Sequence, residues 1–188
     1  LDLKDGQFKT KLYPADSKII VFNKGRKGQK WRPIPEITSS AAKLNLNWKV
    51  EFKHMNGAFK TQEWSELHDL KSLPEFTHFA GVVSYLSTFN LANPSTLQYL
   101  DLGKVFGIAE LVVNGKSIGA TWYGRHAFNL ENTLKEGSNT IEVKVTTVIL
   151  NYMKSLTENV TAQYWSNNSK RKEQPLQSMG MVGPINLF

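Results

Sequence analysis

The sequence predicts an all-β domain built as an antiparallel β-sandwich. Short segments rich in β-branched and aromatic residues recur along the chain, and Asn and Gly residues that favour turns separate them. No long segment shows the apolar period of a helix. The chain has 188 residues, which is enough for one domain with a substantial core. We therefore expect two packed sheets joined by short connections.

Eight segments are predicted to be strands: 18–22, 47–53, 82–89, 97–102, 109–113, 116–122, 140–150 and 185–188. In TIEVKVT, the residues Ile141, Val143 and Val145 point to one face, as a half-buried strand requires. Trp48 alternates in the same way with its neighbours and is assigned to the core. The segment 140–150 becomes continuously apolar at residues 148–150, which predicts that its far end is covered on both faces.

The most specific local pattern is the Asn114–Gly115 pair in AELVVNGKSIG. A two-residue hairpin turn requires positive φ angles at its central positions, and Asn and Gly adopt these at low cost. The sequence therefore predicts a hairpin between 109–113 and 116–122. Helix signals are weak and short, and we expect at most one or two turns within residues 63–70 and a brief helix within residues 155–165.

The charge distribution divides the chain into two parts. The formal net charge is +7, and residues 1–32 carry nine Lys or Arg against three Asp. Residues 33–169 hold eleven basic and twelve acidic residues, and SKRKE at 169–173 adds three basic residues. Because such charge runs are usually solvated surface, nucleic-acid binding by the basic arm ranks third among the functions considered. The prolines of WRPIPEITSS indicate a linker, so we assign residues 1–45 to an N-terminal arm and residues 46–188 to the body.

The composition excludes several kinds of chemistry. The chain has no Cys, so it has no disulfide, thiolate zinc site or Cys nucleophile. The four His show neither HxH nor HExxH spacing, and no Walker loop, GxSxG or GxGxxG motif occurs in a suitable setting. We predict no cofactor, while a structural calcium ion stays open because its oxygen ligands can come from separate loops. No apolar run approaches the ~20 residues of a membrane-spanning helix.

Several motifs in order resemble the galactose-binding-like jelly roll attached to many glycoside hydrolases, and most of all the C-terminal region of family 106 α-L-rhamnosidases. The motifs are WKVEF at 48–52, LQYLDLG, AELVVNGKSIG, LKEGSNTIEVKV and GMVGPINL at 180–187. In this pattern Gly103 and Gly137 lie where the chain needs unusual φ angles, and Asn139 can bond the local backbone. The segment 5–24 resembles the end of the module that precedes the domain in such enzymes.

The resemblance implies a noncatalytic accessory domain, structural and carbohydrate-binding, in a multidomain bacterial glycoside hydrolase that degrades polysaccharide. The partners would be carbohydrate and the catalytic module of the parent chain, with no nucleic acid and no membrane span. The parent would be periplasmic or secreted. Because the chain begins at Leu1 without a leader, we expect it to be a piece of a longer protein. The alternative is a free-standing carbohydrate-binding module.

Two polar, aromatic segments are the candidate carbohydrate site. Sugars stack on flat aromatic faces while planar amide or guanidinium groups bond their hydroxyls. The candidate residues are Trp122, Tyr123, Arg125, His126, Tyr164 and Trp165. The competing interpretation is that Trp122 caps the core and Trp165 is buried under a loop. No carboxylate pair suits glycoside hydrolysis, since Asp101 and Glu110 are interpreted as ordinary turn or surface groups, so the isolated chain is expected to be inactive.

Overall fold

The computed structural model describes residues 41–94, 97–130, 132–166 and 174–188, together with residues 34–37 and the single residues 7, 10, 12, 17, 19 and 25. Within these residues the antiparallel all-β sandwich is confirmed. Apart from Ile19, the predicted strand 18–22 lies outside the described residues, as does the whole basic segment 169–173.

The described part of the chain contains twelve strands, two short α-helices and one 3-10 turn. The strands are β1 (Ala42–Lys43), β2 (Trp48–His54), β3 (Phe59–Trp64), β4 (Gly81–Leu91), β5 (Tyr99–Asp101), β6 (Lys104–Phe106), β7 (Ile108–Val113), β8 (Lys116–Thr121), β9 (Ala127–Asn129), β10 (Gly137–Thr146), β11 (Gly180–Gly183) and β12 (Asn186–Leu187). The helices are α1 (Leu150–Ser155) and α2 (Val160–Ser166), and the 3-10 turn is Leu70–Ser72.

Two main sheets form the sandwich. The larger has six strands in the order β3-β2-β4-β10-β7-β8, and the smaller has four in the order β1-β12-β5-β9. A two-stranded ladder pairs β11 with β6. The long strands β4 and β10 pair antiparallel from Gly137 opposite Leu91 to Thr146 opposite Val82. Strand β1, which lies in the predicted arm, pairs with β12 of the smaller sheet.

The core lies between the two sheets and is built by alternation along the strands. On β10, Ile141, Val143 and Val145 are at most 2% exposed, as their spacing predicted. Trp48 is confirmed as a core residue at 2% exposure, and its ring meets that of Tyr85 edge-on at 6.3 Å. Each fully buried large apolar side chain contributes roughly 1.5–3 kcal/mol, so this stripe is a main source of stability.

The predicted hairpin is confirmed, and a buried amide network secures it. Asn114 and Gly115 have φ angles of 50° and 76°, which a two-residue turn of this kind requires. The Asn114 side chain donates to Asn139 Oδ1 at 2.8 Å and accepts from the Thr140 backbone N–H at 2.9 Å. Asn139, which is fully buried, donates in turn to the Lys135 carbonyl at 2.8 Å. Two side chains thereby tie the turn to the start of β10.

Two local predictions are wrong. Strand β10 ends at Thr146, where its neighbours β4 and β7 both begin and the ladder has no further partner. Val148 and Ile149 are consequently 43% and 47% exposed instead of covered on both faces. The segment predicted as a turn of helix at 63–70 contributes its first two residues to β3, because β3 pairs along β2 up to Trp64. The brief helix expected within 155–165 is confirmed in part by α2.

Candidate functional site

The loop after β8 presents one aromatic ring to solvent. Trp122 is 71% exposed, and its ring meets that of Tyr123 edge-on at a centroid distance of 4.5 Å. The interpretation that Trp122 caps the core is therefore wrong. The loop can turn sharply here because Gly124 has a φ of 71° with open space around it.

Arg125 points inward and forms a buried ion pair with Asp101. Its Nε donates to Asp101 Oδ2 at 2.5 Å, and the two side chains are only 16% and 5% exposed. The Gly103 backbone N–H donates to the other carboxylate oxygen at 2.7 Å. Asp101 is thus not the surface carboxylate expected from sequence, because the end of β5 turns it under the loop. The chain separation of 24 residues left no local signal for this pair.

The rest of the Arg125 guanidinium is also engaged by the protein. Its Nη1 donates to the Pro35 carbonyl at 2.6 Å, and the group lies 5.5 Å from the centre of the Phe188 ring. Nη2 is buried and has no hydrogen-bond partner among the residues that the structure describes. In this arrangement Arg125 connects β5, the residues 34–37 and the ring of Phe188, and it does not present a free guanidinium group to a ligand.

His126 is a buried residue of the same loop. It is 6% exposed, and its Nδ1 shares a 2.8 Å hydrogen bond with Thr121 Oγ1. Burial lowers the pKa of His126 below its usual value, while the Asp101 charge and a hydrogen bond to the Val105 backbone partly oppose the shift. The imidazole is therefore neutral near pH 7 and supports the loop from inside.

The second predicted segment is the exposed face of α2. Tyr164 is 67% exposed and Trp165 is 49% exposed, with their rings perpendicular at 5.5 Å. The interpretation that Trp165 is buried under a loop is therefore wrong. Ala162 and Ser166 are the buried side of the helix, and the Ser166 hydroxyl donates to the Ala162 carbonyl at 2.7 Å.

Strand register places both aromatic segments at the same end of the six-stranded sheet. Thr121, the last residue of β8, pairs with Ala109, which pairs with Val145 near the end of β10. At about 4.8 Å per strand, the ends of β8 and β10 are about 10 Å apart. Helix α1 follows β10, and its Tyr152 ring lies 4.7 Å from that of His54 at the end of β2. Helix α2 packs on α1, so Trp122 and Tyr164 belong to one end of the molecule.

The opposite end of the sheet carries a shallow groove of about 490 Å³ on its outer face. Glu63, Lys49, Leu86 and Glu142 lie in a row across it, since they are successive partners on four strands. No aromatic side chain lines it within the described structure. The two glutamates are three strand spacings apart, about 14 Å. A glycosidase pair needs roughly 5 to 10 Å, so these carboxylates do not match that chemistry.

Two further carboxylates, Glu75 and Asp69, have lowered pKa values. Hydrogen bonds from Lys60 and Gln62 lower the pKa of Glu75. Burial opposes ionisation of Asp69, but hydrogen bonds from the Met179 backbone, Ser178 and the Lys71 backbone outweigh it and lower that pKa as well. A general acid needs a raised pKa, which is the opposite shift.

The residues that the structure describes contain no group of three or more His, Asp or Glu side chains that could hold a metal ion. Among them, no helix has the length and apolar character needed to span a membrane.

Comparisons with known proteins point to glycoside hydrolases. No family model matches the chain. A protein of Formosa agariphila assigned as a beta-glucuronidase is 28% identical over 174 residues, an alignment that covers 74% of this chain and 15% of that protein. A rhamnosidase from Novosphingobium sp. PP1Y superposes with a TM-score of 0.62 and 22% identity over 86% of this chain and 16% of its own. A GH2 beta-galacturonidase from Eisenbergiella tayi superposes with a TM-score of 0.54 and 16% identity over 79% of this chain and 24% of its own.

This chain corresponds to only a small part of each of these larger proteins. The chain spans 15% of the curated relative and 16% and 24% of the two solved structures. The chain therefore has the β-sandwich fold of a portion of much larger glycoside hydrolases, and its sequence is similar to one such protein.

Proposed function

We propose that this chain is a noncatalytic accessory domain of a multidomain glycoside hydrolase. The observation that carries the proposal is the coverage: the similarity extends over 74–86% of this chain but only 15–16% of the curated relative and the rhamnosidase. A region of this size in such an enzyme is one module among several. The superposition on a rhamnosidase supports a parent of that kind. The motif order supports a resemblance to family 106 α-L-rhamnosidases, with the domain in the C-terminal region.

The noncatalytic part of the proposal rests on the carboxylates. Glycoside hydrolysis requires an acid with a raised pKa and a second carboxylate within reach across the sugar. Asp101 is neutralised by Arg125, Glu75 and Asp69 have lowered pKa values, and Glu63 and Glu142 are too far apart. The domain would act by packing against the catalytic module and by supporting its position.

The test is a turnover assay on two proteins. The isolated 188-residue chain should hydrolyse no aryl rhamnoside, glucuronide or galacturonide, whereas the full polypeptide encoded by its gene should hydrolyse at least one of them. Turnover by the isolated chain that disappears on a single Asp→Asn or Glu→Gln substitution contradicts the noncatalytic role. A coding sequence no longer than this chain contradicts the accessory role.

Glycan binding is the second candidate function, and the exposure of Trp122 and Tyr164 favours it. Rings that are 71% and 67% exposed offer faces on which a sugar can stack. Of the predicted polar partners, Arg125 and His126 hold the loop from within, so the stacking rings would supply most of the affinity.

Calorimetry or ligand-observed NMR with rhamnose, galactose and pectin oligosaccharides tests this second function. We expect weak binding that Trp122→Ala abolishes. Phe59→Ala is the matched control, since Phe59 is a 64% exposed aromatic residue on another strand of the same sheet end. An equal loss in both variants, or no binding by the unaltered chain, argues against a glycan site at Trp122.

A further inference from the structure

In the described part of the body, the exposed large apolar side chains are all at one end of the six-stranded sheet. Ten such side chains occur among the described residues after residue 40, and all belong to the strand ends, loops and helices at the end where β2, β8 and β10 stop. We call this surface the apolar end, and its centre is formed by Phe106, Ile108, Trp122, Val148, Ile149 and Tyr164.

Strand register explains why these side chains come together. Ile108 begins β7 opposite Thr146, the last residue of β10, and Val148 follows two residues later. Trp122 follows directly after Thr121, whose partner is Ala109. The opposite end of the sheet, with the Asn114–Gly115 turn and the start of β10, has no exposed large apolar side chain in the described structure.

The exposed aromatic area reaches the size of the largest apolar patch on a typical monomer, and such a patch is often functional. If a fully exposed aromatic side chain presents about 200 Å², the three rings of Trp122, Tyr164 and Trp165 alone leave roughly 350–400 Å² in solvent. The largest apolar patch on a typical monomer is about 300–600 Å², and the aliphatic residues here add to the rings. A surface of this kind indicates an interaction site.

The chemistry of the apolar end fits a protein better than a glycan. Ile108, Val148 and Ile149 are 43–47% exposed and Val160 is 84% exposed, and none of them offers a flat face or a hydrogen bond to a sugar. The buried centre of a protein interface is more apolar than the rest of the surface and is enriched in aromatic residues. The nearby polar groups of Arg125 and His126 are already bonded within the domain.

The N-terminal arm is held at the same end. The Tyr123 hydroxyl lies 3.2 Å from Ser17 Oγ, and Arg125 Nη1 donates to the Pro35 carbonyl. Both side chains belong to the loop that Trp122 opens. Two points of the arm, Ser17 and Pro35, are thereby fixed next to the apolar end, and a module joined through the arm would be directed toward it. On the arm itself, Leu12 and Ile19 are 57% and 94% exposed.

We propose that the apolar end docks against the protein module that the N-terminal arm joins to this domain. In this arrangement Tyr123 and Arg125 hold the arm next to the apolar end and so direct the module toward it. The proposal rests on the proposed function, since it requires a longer parent polypeptide. The occupant is an apolar surface of that preceding module.

Covalent footprinting with mass spectrometry tests the proposal by comparing the isolated chain with the full polypeptide. Hydroxyl radicals should modify Trp122 and Tyr164 at least fivefold less in the full polypeptide, because docking covers their rings. A parallel acetylation of Lys116, which lies in the exposed hairpin at the opposite end, is the control, and its extent should be equal in both proteins. Equal radical labelling of Trp122 in both proteins overturns the docking, even where the full polypeptide is an active hydrolase.

Variants of the full polypeptide give a second readout. Ile149→Glu places a charge on the apolar end without touching the core, and Tyr123→Phe removes only the hydroxyl that faces Ser17. Both should speed tryptic cleavage within the basic residues 24–32 by several fold, while Lys116→Glu should not. Unchanged cleavage in both variants contradicts the proposal. So does dimerisation of the isolated chain that Ile149→Glu abolishes, because the occupant would then be a second copy.

Discussion

Replacing Arg125 with Ala should destabilise the domain strongly. The substitution leaves the Asp101 carboxylate, 5% exposed, without its positive partner. Removing one member of a buried ion pair costs about 3–5 kcal/mol. The Gly103 N–H still bonds the carboxylate at 2.7 Å, which offsets part of that cost, so we expect a loss of about 2–4 kcal/mol in the free energy of unfolding. For a domain of this size the melting temperature should fall by roughly 5–15 °C.

The assay is urea unfolding followed by tryptophan fluorescence and circular dichroism. Lys49→Ala is the matched control, because Lys49 pairs with Glu51 in an ion pair whose side chains are 51% and 29% exposed. Solvent screens such an exposed pair, so this variant should unfold at nearly the same urea concentration as the unaltered chain. A double-mutant cycle of Arg125→Ala with Asp101→Ala should show a coupling above about 1 kcal/mol. If Arg125→Ala is as mild as Lys49→Ala, the buried pair does not hold this loop.

Two further predictions concern the backbone and the pH dependence. Gly103→Ala should prevent stable folding or lower the free energy of unfolding by about 3 kcal/mol or more. Gly103 has a φ of 67°, and a Cβ there would lie 2.4 Å from the Pro184 carbonyl oxygen. Gly115→Ala is the control: Gly115 has a φ of 76° but lies in open space, so this substitution should cost only about 1 kcal/mol by urea unfolding. Because the pKa of His126 is lowered, the native state binds a proton at this residue less well than the unfolded chain does. The stability that neutral His126 contributes is therefore present above about pH 6.5 and is lost as the pH falls through the folded pKa. His126→Gln should flatten the decline in melting temperature between pH 7 and pH 5, and an unchanged profile would contradict the assignment.

Local patterns determined much of the fold. The Asn114–Gly115 turn, the alternation of β10 and the burial of Trp48 were all predictable, because each depends on φ preferences or on a period that neighbouring residues show by themselves. Strand β3, whose sequence FKTQEW has an exposed start and few apolar residues, was not predicted. An edge strand is held by pairing with β2 along one side, and its own sequence does not show that partner.

The sequence by itself determined which residues of the candidate site are aromatic, basic or small, and the order of motifs that resembles a glycoside hydrolase domain. Tertiary structure alone decided which residues are exposed and what each of them contacts. Asp101 and Arg125 meet because β5 and the loop after β8 converge. Trp122 and Tyr164 share one end because β8 and β10, with β7 between them, end at the same edge of the sheet. These encounters depend on strand register across chain separations of 24 residues and more, whereas local preferences act over only a few residues.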